Sequence, residues 1–86
     1  MTTFDQLVFE PYRNGVRSRI KFSNGYGASV VRHEGSYGGS EGLYELAILK
    51  GDSVCYDTQI ANDVKGWLEP KAITELLRQI EALEAA

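Results

Sequence analysis

Hydrophobic and polar positions alternate along most of the first sixty residues and then change to a helical spacing. After Pro70, apolar side chains recur at intervals of three and four residues, which places them on one face of an α-helix. Pro70 suits the first helical position because it lacks an N–H. The predicted apolar face consists of Ile73, Leu76, Leu77, Ile80 and Leu83. The sequence predicts an α+β fold: an antiparallel sheet of about five strands, in two hairpin units, with one C-terminal helix packed on one face.

Two Asn-Gly pairs mark turns in the alternating part of the chain. We predict Asn14-Gly15 as the two-residue loop of a first hairpin, because both residues tolerate positive φ. In this register Phe9 lies opposite Ile20, and Glu10 lies opposite Arg19. Apolar pattern, charge pairing and turn chemistry all favour that alignment.

The second pair, Asn24-Gly25, fits the alternating pattern only if the turn contains one extra residue. We therefore predict a three-residue loop or a bulge near Gly27, with Ile20 opposite Val30. A second hairpin follows, with a strand over residues 43–50 and its turn at Gly51-Asp52. Both faces of that strand are apolar, so one face should carry the helix. A loop, a twin subunit or a partner is expected on the other face.

Size and composition narrow the class of protein. The 86 residues predict a single domain over positions 1–86, and no apolar stretch approaches the roughly 20 residues needed to cross a bilayer. The N-terminus has no basic region typical of a secretory signal, and the single Cys55 cannot form an internal disulfide. These features predict a cytoplasmic protein without a membrane partner. The net charge is −3, with five basic and two acidic side chains in residues 1–33.

Residues 35–42 read GSYGGSEG and raise the question of a phosphate-binding loop. Such a loop leads into a helix and carries a lysine after its last glycine, whereas this stretch leads into a predicted strand. We predict a mobile surface loop that reverses the chain. Tyr37 at its tip is a candidate partner contact, because exposed tyrosines are favoured at interfaces.

Reactive groups are sparse in the sequence. His33 is the only histidine, and Cys55 is predicted to be an ordinary buried thiol. We predict no cofactor, no metal site and no enzymatic activity.

Trp67 is interpreted as a core residue in the turn before the helix, with partner contact as the alternative. Asp63 beside it is a candidate for capping or binding.

Arg17, Arg19 and Lys21 alternate along one predicted strand and therefore share its solvent face. With Arg32 expected nearby and with Tyr12 and Tyr26 beside it, this basic strip is a candidate for binding a nucleic-acid backbone and stacking bases. The overall pI near 5.0 disfavours a polyanionic ligand at long range. Nucleic-acid binding is therefore an alternative rather than the leading hypothesis.

Several strings resemble one family of proteins: FSNGYGASVVRH, SYGG followed by GLYELAIL, CYDT, and NDVKGWL before the helix. They are similar to small, uncharacterised accessory proteins of tailed bacteriophages, over roughly residues 20–84. The resemblance implies a phage origin and action in the cytoplasm of a bacterial host. By analogy with anti-CRISPR and other counter-defence proteins, it favours a protein that occupies the surface of a host protein.

The sequence thus leads to one main hypothesis and two alternatives. The leading one is a binding protein that engages a host protein and possesses no reaction of its own. The alternatives are a nucleic-acid-binding module and a structural homodimer. The candidate partner-binding residues are Tyr26, Tyr37, Arg17, Arg19, Lys21, Asp63 and Trp67.

Overall fold

A computed structural model describes residues 2–60 and 64–85 as one antiparallel sheet with a helix on it. The predicted α+β class is confirmed, and the described residues contain six strands. Both β5 and β6 pair with β4, on the edge opposite β3. Two single-turn 3₁₀ helices lie at Phe4–Gln6 and Gly39–Glu41. The other elements are β1 (Glu10–Tyr12), β2 (Gly15–Lys21), β3 (Tyr26–Arg32), β4 (Tyr44–Lys50), β5 (Ser53–Val54), β6 (Lys65–Leu68) and α1 (Pro70–Glu81).

The helix packs one face onto the centre of the sheet, as its spacing predicts. Pro70 is its first residue, and its apolar stripe contacts the face that β3 and β4 share. Full burial of each such side chain stabilises the fold by about 1.5–3 kcal/mol, so this contact is the main source of stability. The buried residues at the contact are Ala28, Val30, Leu46, Ile48, Ile73, Leu76, Leu77 and Ile80.

The N-terminal segment crosses the core instead of extending β1. The ring centroids of Phe4 and Phe9 lie 5.0 and 5.7 Å from that of Tyr44 on β4. The Phe4 N–H also donates to Thr74 Oγ1 of α1 at 2.9 Å. The predicted pairing of Phe9 with Ile20 is therefore wrong, because Phe9 leaves the sheet edge to join an aromatic cluster over the core.

The register of β1 and β2 is shifted by two residues from the prediction. Glu10 pairs with Arg17, not with Arg19, and the two-residue loop is Arg13-Asn14. Gly15 lies inside β2, where a Cβ would come within 1.8 Å of the Arg32 carbonyl oxygen. That close approach requires glycine in the strand, so Arg13 takes the positive φ of the turn, at 53°.

The turn between β2 and β3 has the predicted length but a different alignment. The Phe22 N–H donates to the Tyr26 carbonyl at 2.8 Å, which leaves a three-residue loop at 23–25. Ile20 pairs with Ala28 and not with Val30. Gly27 is no bulge: it is a regular β3 residue, and the extra residue lies in the loop.

Asn24 in this loop reaches the end of the helix. Its side-chain amide donates to the carbonyls of Ile80, Glu81 and Leu83 at 3.0, 3.3 and 3.0 Å. Its Oδ1 accepts the Tyr26 N–H at 3.0 Å. One side chain therefore donates to two carbonyls in the last turn of the helix, those of Ile80 and Glu81, and to the Leu83 carbonyl just beyond it.

The second hairpin has the predicted turn, with Lys50 paired to Ser53 around Gly51-Asp52, but its second strand is only two residues long. The helix covers one face of β4. On the other face Leu49 is only 2% exposed and Ala47 is half-buried. This face is consequently not an open apolar surface that requires a twin subunit.

Candidate functional site

Trp67 is the largest apolar side chain that the fold leaves in water. It is 61% exposed, so the prediction of a core residue is wrong. Its φ is +58°, in the left-handed region that bulky residues rarely adopt. This conformation costs an L-residue about 1–2 kcal/mol. The position therefore combines backbone strain with an exposed indole.

A β-bulge produces this conformation. Tyr44 pairs with Leu68 and Leu46 pairs with Lys65, so Glu45 alone on β4 faces the two residues Gly66 and Trp67 on β6. Strand β6 was not predicted, and Trp67 belongs to it rather than to a turn. Bulges redirect side chains out of the regular alternation of a strand.

The glycine-rich loop is fastened to this bulge. The Tyr37 N–H donates to Glu45 Oε1 at 3.2 Å, and the Tyr37 carbonyl accepts the Trp67 N–H at 3.1 Å. Gly66 permits the approach, since a Cβ there would lie 2.3 Å from the Cβ of Tyr37. Tyr37 itself is 58% exposed, as predicted for a loop tip. We call Tyr37, Glu45, Gly66 and Trp67 the bulge patch.

The loop does reverse the chain, but it is closely held. It leads from β3 into β4 through a 3₁₀ turn, and Ser36 within it is buried. The Ser36 hydroxyl accepts the His33 N–H at 3.0 Å and donates to the His33 carbonyl at 2.8 Å. These bonds, with the contacts to β6, fix the position from which Tyr37 projects.

The basic strip is largely neutralised within the chain. The guanidinium of Arg17 lies 4.3 Å from the centroid of the Tyr12 ring and 3.8 Å from Glu10 Oε1. Lys21 Nζ lies 2.6 Å from Asp52 Oδ1, and this contact lowers the pKa of the Asp52 carboxyl. Arg19 donates to the Asp52 carbonyl at 3.4 Å. The strip therefore presents less free positive charge than the sequence indicates.

Two residues grouped with the strip from sequence lie elsewhere. Arg32 lies over the Tyr44 ring, 5.1 Å from its centroid, and donates to the Tyr44 hydroxyl at 3.2 Å. Tyr26 is half-buried and packs against the core. Asp63, the remaining candidate, lies outside the described residues.

The structure does not bring the histidine and the cysteine together. Cys55 is buried, its N–H donates to the Ile48 carbonyl, and its thiol donates to Asp57 Oδ1 at 2.9 Å. That hydrogen bond lowers the pKa of the Asp57 carboxyl. His33 follows β3 at the end where Val31 pairs with Glu45, about 10 Å along β4 from Ile48 by strand rise. Residues 2–60 and 64–85 contain no group of three ligating side chains placed to hold a metal ion.

Comparisons with protein-family models, with curated proteins and with solved structures find no match to this chain. Among the described residues there is no helix with the length and apolar character to span a membrane.

Tyr37 and Trp67 were predicted as candidate contacts, but Glu45 and Gly66, which lie against Tyr37 in the fold, were not. Glu45 was visible as the one charged side chain within the apolar run LYELAIL. Gly66 was visible as a glycine next to the only tryptophan. Neither signal reveals that the two residues meet across a strand pair, because β6 itself is only four residues long.

Proposed function

We propose that this chain is a phage-encoded binding protein that engages a protein of the bacterial host through the bulge patch, without a reaction of its own. The observation that carries the proposal is Trp67, whose exposed indole sits on a strained backbone. The backbone strain at Trp67 opposes folding, and the exposed indole does little to offset it. Strained backbone of this kind is found mainly at functional sites. The phage origin and the bacterial host come from the sequence resemblance.

The chemistry of the patch suits a protein partner. Tryptophan and tyrosine are enriched among the residues that dominate binding energy at interfaces, since each buries a large area with few rotatable bonds. Here the backbones of Tyr37 and Trp67 are hydrogen-bonded to each other. A site that is already ordered loses less entropy when a partner binds, so more of the contact energy appears as affinity.

Binding of this kind inhibits a partner when it occupies a surface that the partner needs. We place the action in the host cytoplasm and favour a defence or regulatory factor as the target. This part of the proposal rests on analogy with counter-defence proteins. It adds no chemistry beyond contact between surfaces.

The nucleic-acid alternative is weakened by the ion pairs of the basic strip. Arg17 and Lys21 each have a carboxylate partner within 3.8 Å. Binding a nucleic-acid backbone gains affinity by releasing counterions from phosphates, and cations that must first give up a carboxylate partner contribute less to that gain. The homodimer alternative is weakened by Leu49, which is buried within the single chain.

Capture from host lysate tests the proposal, with Trp67→Ala as the decisive variant. Tyr56→Ala is the matched control, because Tyr56 is also exposed, at 57%, but has no positive φ. We expect a host protein to be captured at near-stoichiometric yield by the parent chain and by Tyr56→Ala. With the captured protein purified, calorimetry should give a dissociation constant about 30-fold weaker for Trp67→Ala, the effect of a hot-spot residue. Equal affinity of the two variants would contradict the proposal.

A further inference from the structure

We infer that the bulge patch binds the guanidinium of an arginine on the partner, an inference that rests on the proposed function. Its components are the Trp67 and Tyr37 rings and the Glu45 carboxylate. Hydrogen bonds of the Tyr37 main chain join the three residues, and the charge of the surrounding segments is negative.

The carboxylate is held in place at the patch. Glu45 is half-buried, and its Oε1 accepts the Tyr37 N–H at 3.2 Å. The Tyr37 carbonyl in turn accepts the Trp67 N–H at 3.1 Å. One main-chain residue therefore links the carboxylate to the tryptophan. A carboxylate can accept several hydrogen bonds, so Glu45 retains capacity for a donor from a partner.

The charge around the patch is negative. The segments that form it, residues 34–45 and 64–69, carry four carboxylates and the single cation Lys65. An incoming cation is therefore attracted, and an anionic partner surface is repelled. The four acidic residues are Glu34, Glu41, Glu45 and Glu69.

The same protein already contains a filled version of this arrangement. Arg17 lies 4.3 Å from the Tyr12 ring centroid and 3.8 Å from the Glu10 carboxylate, so one guanidinium contacts an aromatic face and an acid. The bulge patch offers the same two kinds of group, with tryptophan added as the strongest cation–π acceptor. Within the described residues no arginine occupies it.

An arginine side chain suits the aromatic rings and the carboxylate of the bulge patch better than a lysine side chain does. Its planar guanidinium stacks on aromatic rings while its N–H groups donate to a carboxylate, and it is less strongly hydrated than an ammonium. The expected ligand is consequently an arginine side chain in an exposed segment of the partner, with lysine bound more weakly.

Trp67 is the only tryptophan, so its fluorescence reports directly on the patch. We would titrate the chain with the peptide Gly-Arg-Gly-Arg-Gly, with its lysine analogue and with its citrulline analogue, which has nearly the shape of arginine without the charge. A saturable change in fluorescence is expected with the arginine peptide. The affinity should fall about threefold to fivefold with citrulline, in line with a cation–π contact at an exposed site.

Glu45→Gln removes the charge and retains an oxygen that accepts the Tyr37 N–H. We expect it to weaken arginine-peptide binding about threefold to fivefold, whereas Glu10→Gln, which removes one charge at the far edge of the sheet, should have no effect. The NMR resonance of the Trp67 indole N–H should shift most with the arginine peptide and less with the lysine and citrulline peptides. With the arginine peptide it should shift less in Glu45→Gln than in Glu10→Gln. Equal responses to arginine and citrulline, or to the two glutamine variants, would overturn the inference. If Trp67-dependent capture of a host protein persists in that case, the proposed function stands and only the arginine ligand is wrong.

Discussion

A left-handed backbone raises the free energy of the folded state when the residue carries a Cβ, and Trp67 is such a residue. Replacing it by alanine or by glycine removes the same indole. The two variants differ only in the Cβ and in the freedom of the unfolded chain. The difference in stability between Trp67→Ala and Trp67→Gly therefore measures the backbone strain at this position separately from the loss of the ring.

We expect Trp67→Gly to be more stable than Trp67→Ala by about 1 kcal/mol, because glycine adopts positive φ without a steric penalty. At Tyr56, which has no positive φ, the order should be reversed by about 0.4–1 kcal/mol, because glycine gives the unfolded chain more conformational freedom than alanine does. Urea unfolding of the four variants measures both differences. A Trp67→Ala variant as stable as Trp67→Gly would mean that the bulge relaxes and that no strain is stored there.

Individual glycines explain why the turn positions were mispredicted. From sequence, Gly15 and Gly27 both resemble turn residues. In the fold both lie within strands, where a Cβ would come within 1.8 Å and 2.3 Å of a neighbouring backbone oxygen. Positive φ and close approach both favour glycine, and the sequence does not distinguish between them. The faces of the strands were still predicted correctly, because both registers shifted by an even number of residues.

At the scale of elements, one side chain joins the loop between β2 and β3 to the end of α1. Helices usually end with carbonyls that bond to water or to a glycine-based cap. Here the Asn24 amide donates to two of these carbonyls and to the Leu83 carbonyl just beyond the helix. The Asn-Gly sequence predicted the turn, but its role as a helix cap depends on tertiary packing that no local pattern records.

Asn24→Ala should lower the free energy of unfolding by about 1–3 kcal/mol, since it removes the part-buried hydrogen bonds to the Ile80 and Leu83 carbonyls and the one accepted from the Tyr26 N–H. The matched control is Ser23→Ala, in the same loop and at an exposed position, for which we expect a change within about 0.5 kcal/mol. Urea midpoints at unchanged slope are the measurement. Similar losses in both variants would show that general loop disturbance, rather than the cap, destabilises the fold.

The helix could be predicted from the sequence, but β6 could not, because β6 is short and its conformation depends on residues that are distant in the chain. Twelve residues with an apolar stripe identify α1 by themselves. β6 has four residues, and its pairing with β4 is interrupted by the bulge. Its conformation depends on Tyr37, far away in the chain. The candidate site was consequently half predicted: the aromatic residues were named, but neither their adjacency nor the exposure of Trp67 could be deduced.

For the whole molecule, the distribution of charge decides between the two binding hypotheses. The basic strip lies on β2, and the bulge patch begins at Glu45 on β4, with only β3 between them. Arg17 and Glu45 lie in the same cross-strand row, two strand spacings or about 10 Å apart, which exceeds the Debye length of about 8 Å at physiological salt. The two surfaces should therefore act independently.

The triple variant Arg17→Glu, Arg19→Glu, Lys21→Glu should bind the captured host protein within about twofold of the parent chain, because screened charges at that distance interact weakly. Calorimetry with the purified partner measures this. In parallel, the parent chain should give no saturable binding to single-stranded or duplex nucleic acid at about 0.15 M salt. Tight binding there, steeply weakened by salt and lost in the triple variant, would favour the nucleic-acid alternative.

The bulge patch is assembled from three separate stretches of the chain, at Tyr37, Glu45 and Trp67. The shortest segment that contains all three spans residues 37–67, and a nascent chain cannot present them until β6 has left the ribosome and docked beside β4. Binding of a partner is therefore coupled to completed folding. A partner that recognises this surface binds folded molecules and does not bind incompletely folded or damaged ones.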